Sequence, residues 1–142
     1  MQTVQELHPQ IIEWAEAKNI KNPDTQFLKI LEEVGETAKA ILQEDRLEIL
    51  DGIGDIAVTI MIYYWQKEKN LNVVDFRNYK LKDSKMFVLF IKALNDEDFY
   101  IFDELSSIAK VHNTTLTECL NMAWSEIKDR KGKTVDGNFI KN

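Results

Sequence analysis

The sequence predicts an all-α protein, a helical bundle around an antiparallel helix hairpin at about residues 25–43 and 46–67. Apolar residues recur at helical spacing, i, i+3, i+4 and i+7, on both sides of a short polar break at residues 43–46. Only two prolines and five glycines occur among 142 residues, a composition typical of a compact, mostly helical protein. With 44% hydrophobic content, residues 1–142 are long enough to form a single domain with a substantial core.

The first predicted helix lies within residues 3–18, where four apolar residues have helical spacing: Val4, Leu7, Ile11 and Ala15. Pro9 interrupts this segment and either kinks the helix or marks its start after His8. Residues 19–23 are predicted to form a loop, after which Asp24 or Thr25 caps the first helix of the hairpin.

The first hairpin helix combines an apolar stripe with an acidic side. The stripe contains Phe27, Leu31, Val34, Ala38 and Ile41. Glu32, Glu33 and Glu36 fall together on the other side at the helical angle of about 100° per residue. Taken alone, such an acidic face is typical of a solvated helix surface.

The second hairpin helix is apolar nearly all round, which predicts that it is buried. It nevertheless contains Glu48, Asp51 and Asp55, which lie within about 60° of one another around the helix. Three acids facing three acids on the neighbouring helix would repel one another and lose hydration unless a cation lies between them. The second helix therefore indicates a cation site.

Six carboxylates without histidine or cysteine suit Mg²⁺, Mn²⁺ or Ca²⁺ better than zinc or copper. A di-iron bundle is disfavoured because its Glu-x-x-His pairs are missing. In a tight hairpin, Asp51 and Asp55 straddle the level of Glu33 and Glu36, whereas Glu48 is offset along the axis by about 7 to 8 Å. We therefore expect Asp51 and Asp55 to matter more for metal binding than Glu48.

The remainder of the chain predicts three further helices after an irregular connection that follows Trp65. The apolar run 86–94 fits a buried helix, and residues 96–111 fit another with Asp96 as its cap and His112 at its end. A last helix, capped by Thr114 or Thr115, begins near Leu116 and runs towards a plausible stop at Gly132. We expect the apolar run 86–94 to pack on the bundle or at a subunit contact.

The order Glu33-x-x-Glu36 followed by Glu48-x-x-Asp51 resembles the paired motifs of the MazG-like all-α nucleoside triphosphate pyrophosphohydrolases. The strings E-E-V-G-E and D-G-I-G-D-I-A-V-T-I are similar to those of short MazG-like proteins from bacteria and phages. The resemblance covers residues 10–66 and 113–141, and leaves an extension at about 71–111 that the shortest relatives lack.

This resemblance implies an enzyme that uses Mg²⁺, or Mn²⁺ as an alternative, to convert a (d)NTP and water to the monophosphate and pyrophosphate. It implies a homodimer or homotetramer. The implied catalytic base is Glu32 or Glu33. The implied metal ligands are Glu33, Glu36, Glu48, Asp51 and Asp55. In much of the family large apolar residues follow the second acid, a context that fits Asp55 better than Asp51, so the choice among the three acids of the second helix stays open.

Four residues are candidates for substrate binding: Lys29, Trp14, Lys128 and Arg130. The cluster at Lys128 and Arg130 is also explained as cations at a helix C-terminus, and Lys29 lies one turn before the acids. Trp14 is expected in the core or at an interface, and the resemblance adds a base-stacking role.

The formal net charge of −6 argues against broad binding to nucleic acid or to anionic membranes. No secretory signal and no membrane-spanning run is visible in the sequence, and the single Cys119 fits a small buried side chain in a reducing cytoplasm. The alternative to the enzyme is a non-catalytic helical protein that binds a metal or nucleotide in a regulatory interaction.

Overall fold

A computed structural model describes residues 1–76 and 81–141. Within these ranges the protein has six helices and one small two-stranded antiparallel sheet, which confirms the predicted all-α class. The elements are α1 Val4–Ala17, α2 Pro23–Leu42, α3 Arg46–Gln66, α4 Asp83–Asn95, α5 Ile101–Val111, α6 Leu116–Ile127, β1 Gly132–Val135 and β2 Asn138–Lys141.

Helix α1 begins before Pro9, so a start after His8 is wrong. Thr3 caps the helix by accepting a hydrogen bond from the backbone N–H of Glu6, and the Glu6 carboxylate accepts one from the backbone N–H of Thr3. This reciprocal capping box defines the first turn. Pro9 is tolerated inside the helix because it lies on the exposed side, where water can satisfy the carbonyl that loses its partner.

Helix α2 is capped by Asn22 and not by Asp24 or Thr25. The Asn22 side chain accepts a hydrogen bond from the backbone N–H of Thr25 at 3.2 Å. Pro23 occupies the first helical position, where its fixed φ suits the helix and its missing N–H costs nothing. The cap therefore falls one residue before the proline.

Helix α3 is the centre of the protein, and thirteen of its twenty-one residues are buried. It packs against α1, α2, α5 and α6, which confirms the burial that its nearly continuous apolar surface predicts. Gly54 permits the contact with α6, because a Cβ at this position would lie 2.1 Å from the carbonyl oxygen of Cys119. Any side chain here would force the two helices apart.

Helices α2 and α3 run antiparallel and are joined by three residues. The Gln26 side-chain amide donates to the carbonyl oxygen of Thr59 at 3.1 Å. At the other end Gly52 lies against Thr37, where an added Cβ would be 2.1 Å from the Thr37 hydroxyl oxygen. This contact puts Glu33 and Glu36 at the depth of Asp51 and Asp55.

Within one chain, the buried face of α2 is not the face that carries the apolar stripe of this helix. The buried residues are Gln26, Ile30, Thr37 and Ala40. Leu31 and Ala38 of the stripe are exposed, and its other members are only half-buried. The helix is thus rotated so that the face between its apolar stripe and its acids borders α3, with Glu33 half-buried at the edge of this face and Glu32 and Glu36 exposed.

In the extension, the run 86–94 is helical as predicted, within α4. Helix α5 begins at Ile101, and the expectation that Asp96 caps it is wrong: Asp96 is the C-terminal cap of α4. Glu97 follows with a φ of 49°, which ends the helix. The carboxylate of Asp98 then accepts from the backbone N–H of Tyr100 at 2.8 Å.

The extension packs on the bundle through polar contacts as well as apolar ones. Asp75 Oδ2 accepts hydrogen bonds from the backbone N–H of Thr117 at 3.1 Å and from its hydroxyl at 2.7 Å. The Tyr64 hydroxyl donates to the carbonyl oxygen of Asp98 at 2.8 Å. Residues 77–80, part of the predicted irregular connection, lie outside the described residues.

The C-terminal segment forms a β-hairpin, where the sequence predicts only a stop. Helix α6 is capped by Thr115, one of the two predicted residues, but Gly132 begins β1 instead of simply ending a helix. Asp136 and Gly137 have φ values of 52° and 79°, as required for the tight turn between two strands. The carbonyl oxygen of Gly137 accepts hydrogen bonds from the backbone N–H groups of residues 21 and 22, which anchors the hairpin beside the start of α2.

Among residues 1–76 and 81–141, no helix is long and apolar enough to cross a membrane.

Candidate functional site

A cavity of about 410 Å³ lies between α2, α3, the end of α6 and the C-terminal hairpin. Its lining combines acids, aromatic and aliphatic side chains, and three cations. The lining residues are Trp14, Ile20, Gln26, Lys29, Glu32, Glu33, Glu36, Asp51, Asp55, Val58, Thr59, Ile62, Glu126, Ile127, Arg130, Phe139 and Lys141.

Glu33 and Asp55 are the most strongly perturbed acids of this cavity. Burial, followed by the nearby charges of Glu36, Glu32 and Asp51, raises the pKa of Glu33 to about 7. Burial, followed by the charges of Asp51 and Glu33, raises the pKa of Asp55 to about 8. The two helices thus hold partly buried carboxyl groups close enough for each to oppose ionisation of the others.

Asp51 completes this group and has an oxygen without a protein partner. Burial and then the charges of Glu126 and Glu48 raise its pKa, whereas Arg130 lowers it. Within the described part of the chain, Asp51 Oδ1 is buried and accepts no hydrogen bond. A buried carboxylate oxygen normally has a partner, and because Asp51 lines the cavity, either water or a ligand can supply one.

Glu32 and Glu36 lie at the rim of the same cavity, and both are exposed. Glu48 is also exposed but is not among the lining residues. The structure therefore brings together four of the five predicted metal ligands and both predicted catalytic residues. Glu48 remains outside, near enough to influence the pKa of Asp51.

Two of the three predicted cations reach the cavity. Arg130 lines it beside Asp51 and Asp55, and lowers the pKa of both. Lys29 also lines it, with Nζ donating to the carbonyl oxygen of Phe139 at 3.1 Å. Lys128 is exposed and is not among the lining residues of the cavity in one chain.

The apolar end of the cavity is formed by Trp14 and Phe139. Their rings make an edge contact with centroids 5.3 Å apart. Trp14 Nε1 is buried and makes no hydrogen bond to any described residue. Trp14 is half-buried and packs against the hydrophobic core, and its base-stacking role stays a prediction.

Three charged or aromatic residues of the cavity are not predicted from the sequence: Glu126, Phe139 and Lys141. Glu126 precedes Arg130 by four residues, a spacing that in a continuous helix would pair an acid with a base, although α6 ends at Ile127 and Arg130 lies beyond it. The turn pair Asp136-Gly137 is a signal for a β-hairpin and would have located Phe139 and Lys141 in strand β2. Neither signal specifies that these residues meet the acids of α3.

The donor chemistry fits a hard divalent cation, since the convergent ligands are carboxylates and one of their buried oxygens has no partner. Among residues 1–76 and 81–141, no three histidine, cysteine, aspartate or glutamate side chains already form a metal-binding group. Binding would therefore require rotation of acidic side chains, which the exposed Glu32 and Glu36 permit.

Fold and site together define an all-α protein with an acidic cavity closed by a C-terminal hairpin. No protein-family model matches the chain, and searches of curated proteins and of solved structures find no match either. The similarity to MazG-like proteins therefore stays a prediction that depends on the acidic motifs themselves.

Proposed function

We propose that this protein is a metal-dependent nucleoside triphosphate pyrophosphohydrolase. The observation that carries the proposal is the group Glu33, Asp51 and Asp55, which two antiparallel helices hold in one cavity with raised pKa values. Perturbed acids that converge in a cavity are typical of functional sites. The MazG-like motif order supplies the reaction class.

Glu33, Glu36, Asp51 and Asp55 would hold Mg²⁺, or Mn²⁺ as an alternative. Glu126 is a further acid beside Asp51. When bound, the cation supplies positive charge that offsets the triphosphate. This assignment gives a reason for the unpartnered Asp51 Oδ1 and for the repulsion among the carboxylates.

The other lining residues fit the remaining parts of a nucleotide. Arg130, Lys29 and Lys141 place cations around the acids, where they would neutralise phosphate oxygens that the metal leaves free. Trp14 and Phe139 offer an aromatic wall against which a base can stack. The substrate would lie with its phosphates towards α2 and α3 and its base towards α1 and β2.

We assign the proton transfer to Glu32 or Glu33, as a carboxylate that the metal does not fully occupy. Water adds to the α-phosphorus, the bond from that phosphorus to its bridging oxygen breaks, and pyrophosphate leaves with that oxygen. A carboxylate oxygen of Glu33, or of Glu32 at the rim, accepts the proton from water.

The test is release of pyrophosphate from a panel of ribo- and deoxynucleoside triphosphates with Mg²⁺. We expect Glu36→Gln to abolish release while helical content stays unchanged, and Glu44→Gln to behave like wild type, since Glu44 is exposed in the α2–α3 connection. Near-normal turnover by Glu36→Gln would show that the site assignment is wrong. Nucleotide binding without pyrophosphate release by wild type would favour the non-catalytic alternative.

Two further parts of the proposal concern the setting of the enzyme. A cytoplasmic location suits Cys119, which is free and buried. A homodimer or homotetramer follows from the family resemblance, and the acidic cavity of one chain is open at Glu32 and Glu36, where a neighbouring subunit could lie.

A further inference from the structure

Helix α2 presents a continuous apolar surface that one copy of the chain does not cover. Leu28, Leu31 and Leu42 are 64%, 41% and 85% exposed. With Gly35 and Ala38 they recur at spacings of three and four residues, which keeps them on one side of the helix. This surface, the α2 outer face, extends for about 21 Å at the helical rise of about 1.5 Å per residue. An exposed apolar strip of this length marks an interaction site.

We propose that the α2 outer face is a contact between two copies of this chain, with the two α2 helices antiparallel about a two-fold axis at the level of Gly35. The spacing is symmetric about this residue, because Leu28 and Leu42 are each seven positions away from it. The axis therefore brings Leu28 of one subunit against Leu42 of the partner subunit. Such self-complementarity is the property of a two-fold interface.

Gly35 permits a close approach at the centre of this contact. A Cβ at Gly35 would have no atom within 4 Å, so the glycine is not required for packing within the chain. Its missing side chain instead leaves a flat position on the outer face, where a second helix backbone can come near. Small residues have this role wherever two helices approach closely.

The charges beside the α2 outer face are complementary under the same symmetry. Glu32 and Lys39 are both exposed, and they lie on the same flank of the helix because seven residues correspond to a rotation of only about 20° from two full turns. Glu32 is three residues before Gly35 in the sequence, and Lys39 is four residues after it. The axis places Glu32 beside Lys39 of the partner subunit, and this pair occurs twice.

These features favour a second copy over an unrelated partner. Helix α4 also has exposed apolar residues, Val88 and Ile91, but its outer side has no comparable symmetric arrangement of opposite charges. The contact also affects the cavity, since Glu32 and Glu36 form its rim. Lys39 of the partner subunit would bring a cation to this acidic rim. The inference depends on the surface alone and not on the proposed activity.

Mass in solution tests the contact. We expect wild type to have the mass of two or more chains by sedimentation or light scattering, Leu28→Glu to have a smaller mass, and Val88→Glu to keep the wild-type mass. Val88 is the matched control because it is 61% exposed, close to the 64% of Leu28. A single-chain mass for wild type across a concentration series would overturn the proposal, and so would an unchanged mass for Leu28→Glu.

Cysteine crosslinking tests the antiparallel arrangement. The native Cys119 is free and buried, so it does not interfere. We expect Gly35→Cys to form a disulfide-linked dimer under oxidation, since the two Cα atoms at the axis fall within the distance of about 7 Å that a disulfide requires. Leu28→Cys alone should not crosslink, whereas the double variant Leu28→Cys/Leu42→Cys should. Efficient crosslinking of Leu28→Cys alone would indicate parallel helices, and no crosslinking of Gly35→Cys would exclude an axis at this level; either result overturns the proposal.

Discussion

The acids of the extension and the acids of the cavity differ in what surrounds them. In the extension, Asp75 accepts two hydrogen bonds from Thr117. Asp83 Oδ1 lies 2.7 Å from His112 Nε2, in a contact that joins the start of α4 to the end of α5. These carboxylates hold elements of the fold together.

The cavity acids have the opposite environment. Glu33, Asp51 and Asp55 are partly buried beside one another, and burial together with mutual repulsion raises the pKa of each. Arg130 lowers the pKa of Asp51 and Asp55 only in part. Desolvation and repulsion of these carboxylates destabilise the isolated chain, and a bound ligand would offset both. The comparison therefore separates acids that support the fold from acids suited to binding.

The largest effect should follow from removal of a cavity carboxylate. We expect Asp55→Asn and Asp51→Asn each to lower metal affinity and activity by at least about 100-fold, because changes to residues that merely support metal ligands already cost about 10- to 100-fold. Glu48→Gln should cost less, since Glu48 is not among the lining residues. Calorimetric titration with Mg²⁺ or Mn²⁺ ranks the three variants. If Glu48→Gln alone loses the metal while Asp55→Asn binds normally, Glu48 is a metal ligand, as the Glu48-x-x-Asp51 motif implies. The ranking of the three acids by their position along the helix axis would then be wrong.

The free energy of unfolding should respond differently to changes at the two kinds of acid. Asp75→Ala removes the acceptor of the Thr117 backbone N–H and hydroxyl, and we expect a loss of about 1 to 3 kcal/mol in the free energy of unfolding. Asp55→Asn in metal-free buffer should cause no loss, because it removes a repelled charge. Urea unfolding of both variants at pH 8 compares them. Equal destabilisation would mean that the cavity acids also support the fold.

The pH dependence of the metal-free protein gives a third comparison. The usual pKa of an aspartate is 3.8, and that of Asp55 is raised to about 8, so the folded state binds an extra proton between these values. The stability that this extra proton contributes is fully present below the pKa of the aspartate in the unfolded chain. It is lost as the pH rises through about 8. Wild type treated with chelator should therefore melt at a higher temperature at pH 5 than at pH 9, and Asp55→Asn should reduce this difference. A melting temperature that rises over this interval would contradict the raised pKa.

Much of the helical part of the fold is predictable because its signals are local. Thr115 stands directly before the apolar period of α6, and the composition of α3 predicts its burial. The errors arise where two local signals compete. Asp96 resembles a cap for the following helix, but Glu97 adopts a left-handed conformation that ends α4. Pro9 suggests a helix start, although the capping box of Thr3 and Glu6 already provides one.

The candidate site is predictable only in part, because some of its residues are far apart in the sequence. The acids of α2 and α3 can be paired from the length of the connection between these helices. Glu126 joins them only because α6 packs on α3 at Gly54, a contact that no local pattern specifies. The rotation of α2 is likewise a tertiary effect: the packing of Thr37 against Gly52 accompanies a half-buried Glu33 and an exposed Leu31.

The smallest effect should come from the hairpin that covers the apolar end of the cavity. Gly137 has a φ of 79°, and an added Cβ would lie 3.1 Å from the backbone nitrogen of Asn22. Gly137→Ala should cost about 1 to 2 kcal/mol locally, because alanine is strained at positive φ. The displaced strand carries Phe139 and Lys141, whereas the acids lie on α2 and α3, so we expect KM for the nucleotide to rise with little change in kcat. Gly137→Asn is the matched control, since it adds the same Cβ but tolerates positive φ better, and its KM should lie between the other two. A fall in kcat at unchanged KM would mean that the hairpin acts on the chemical step and not on substrate binding.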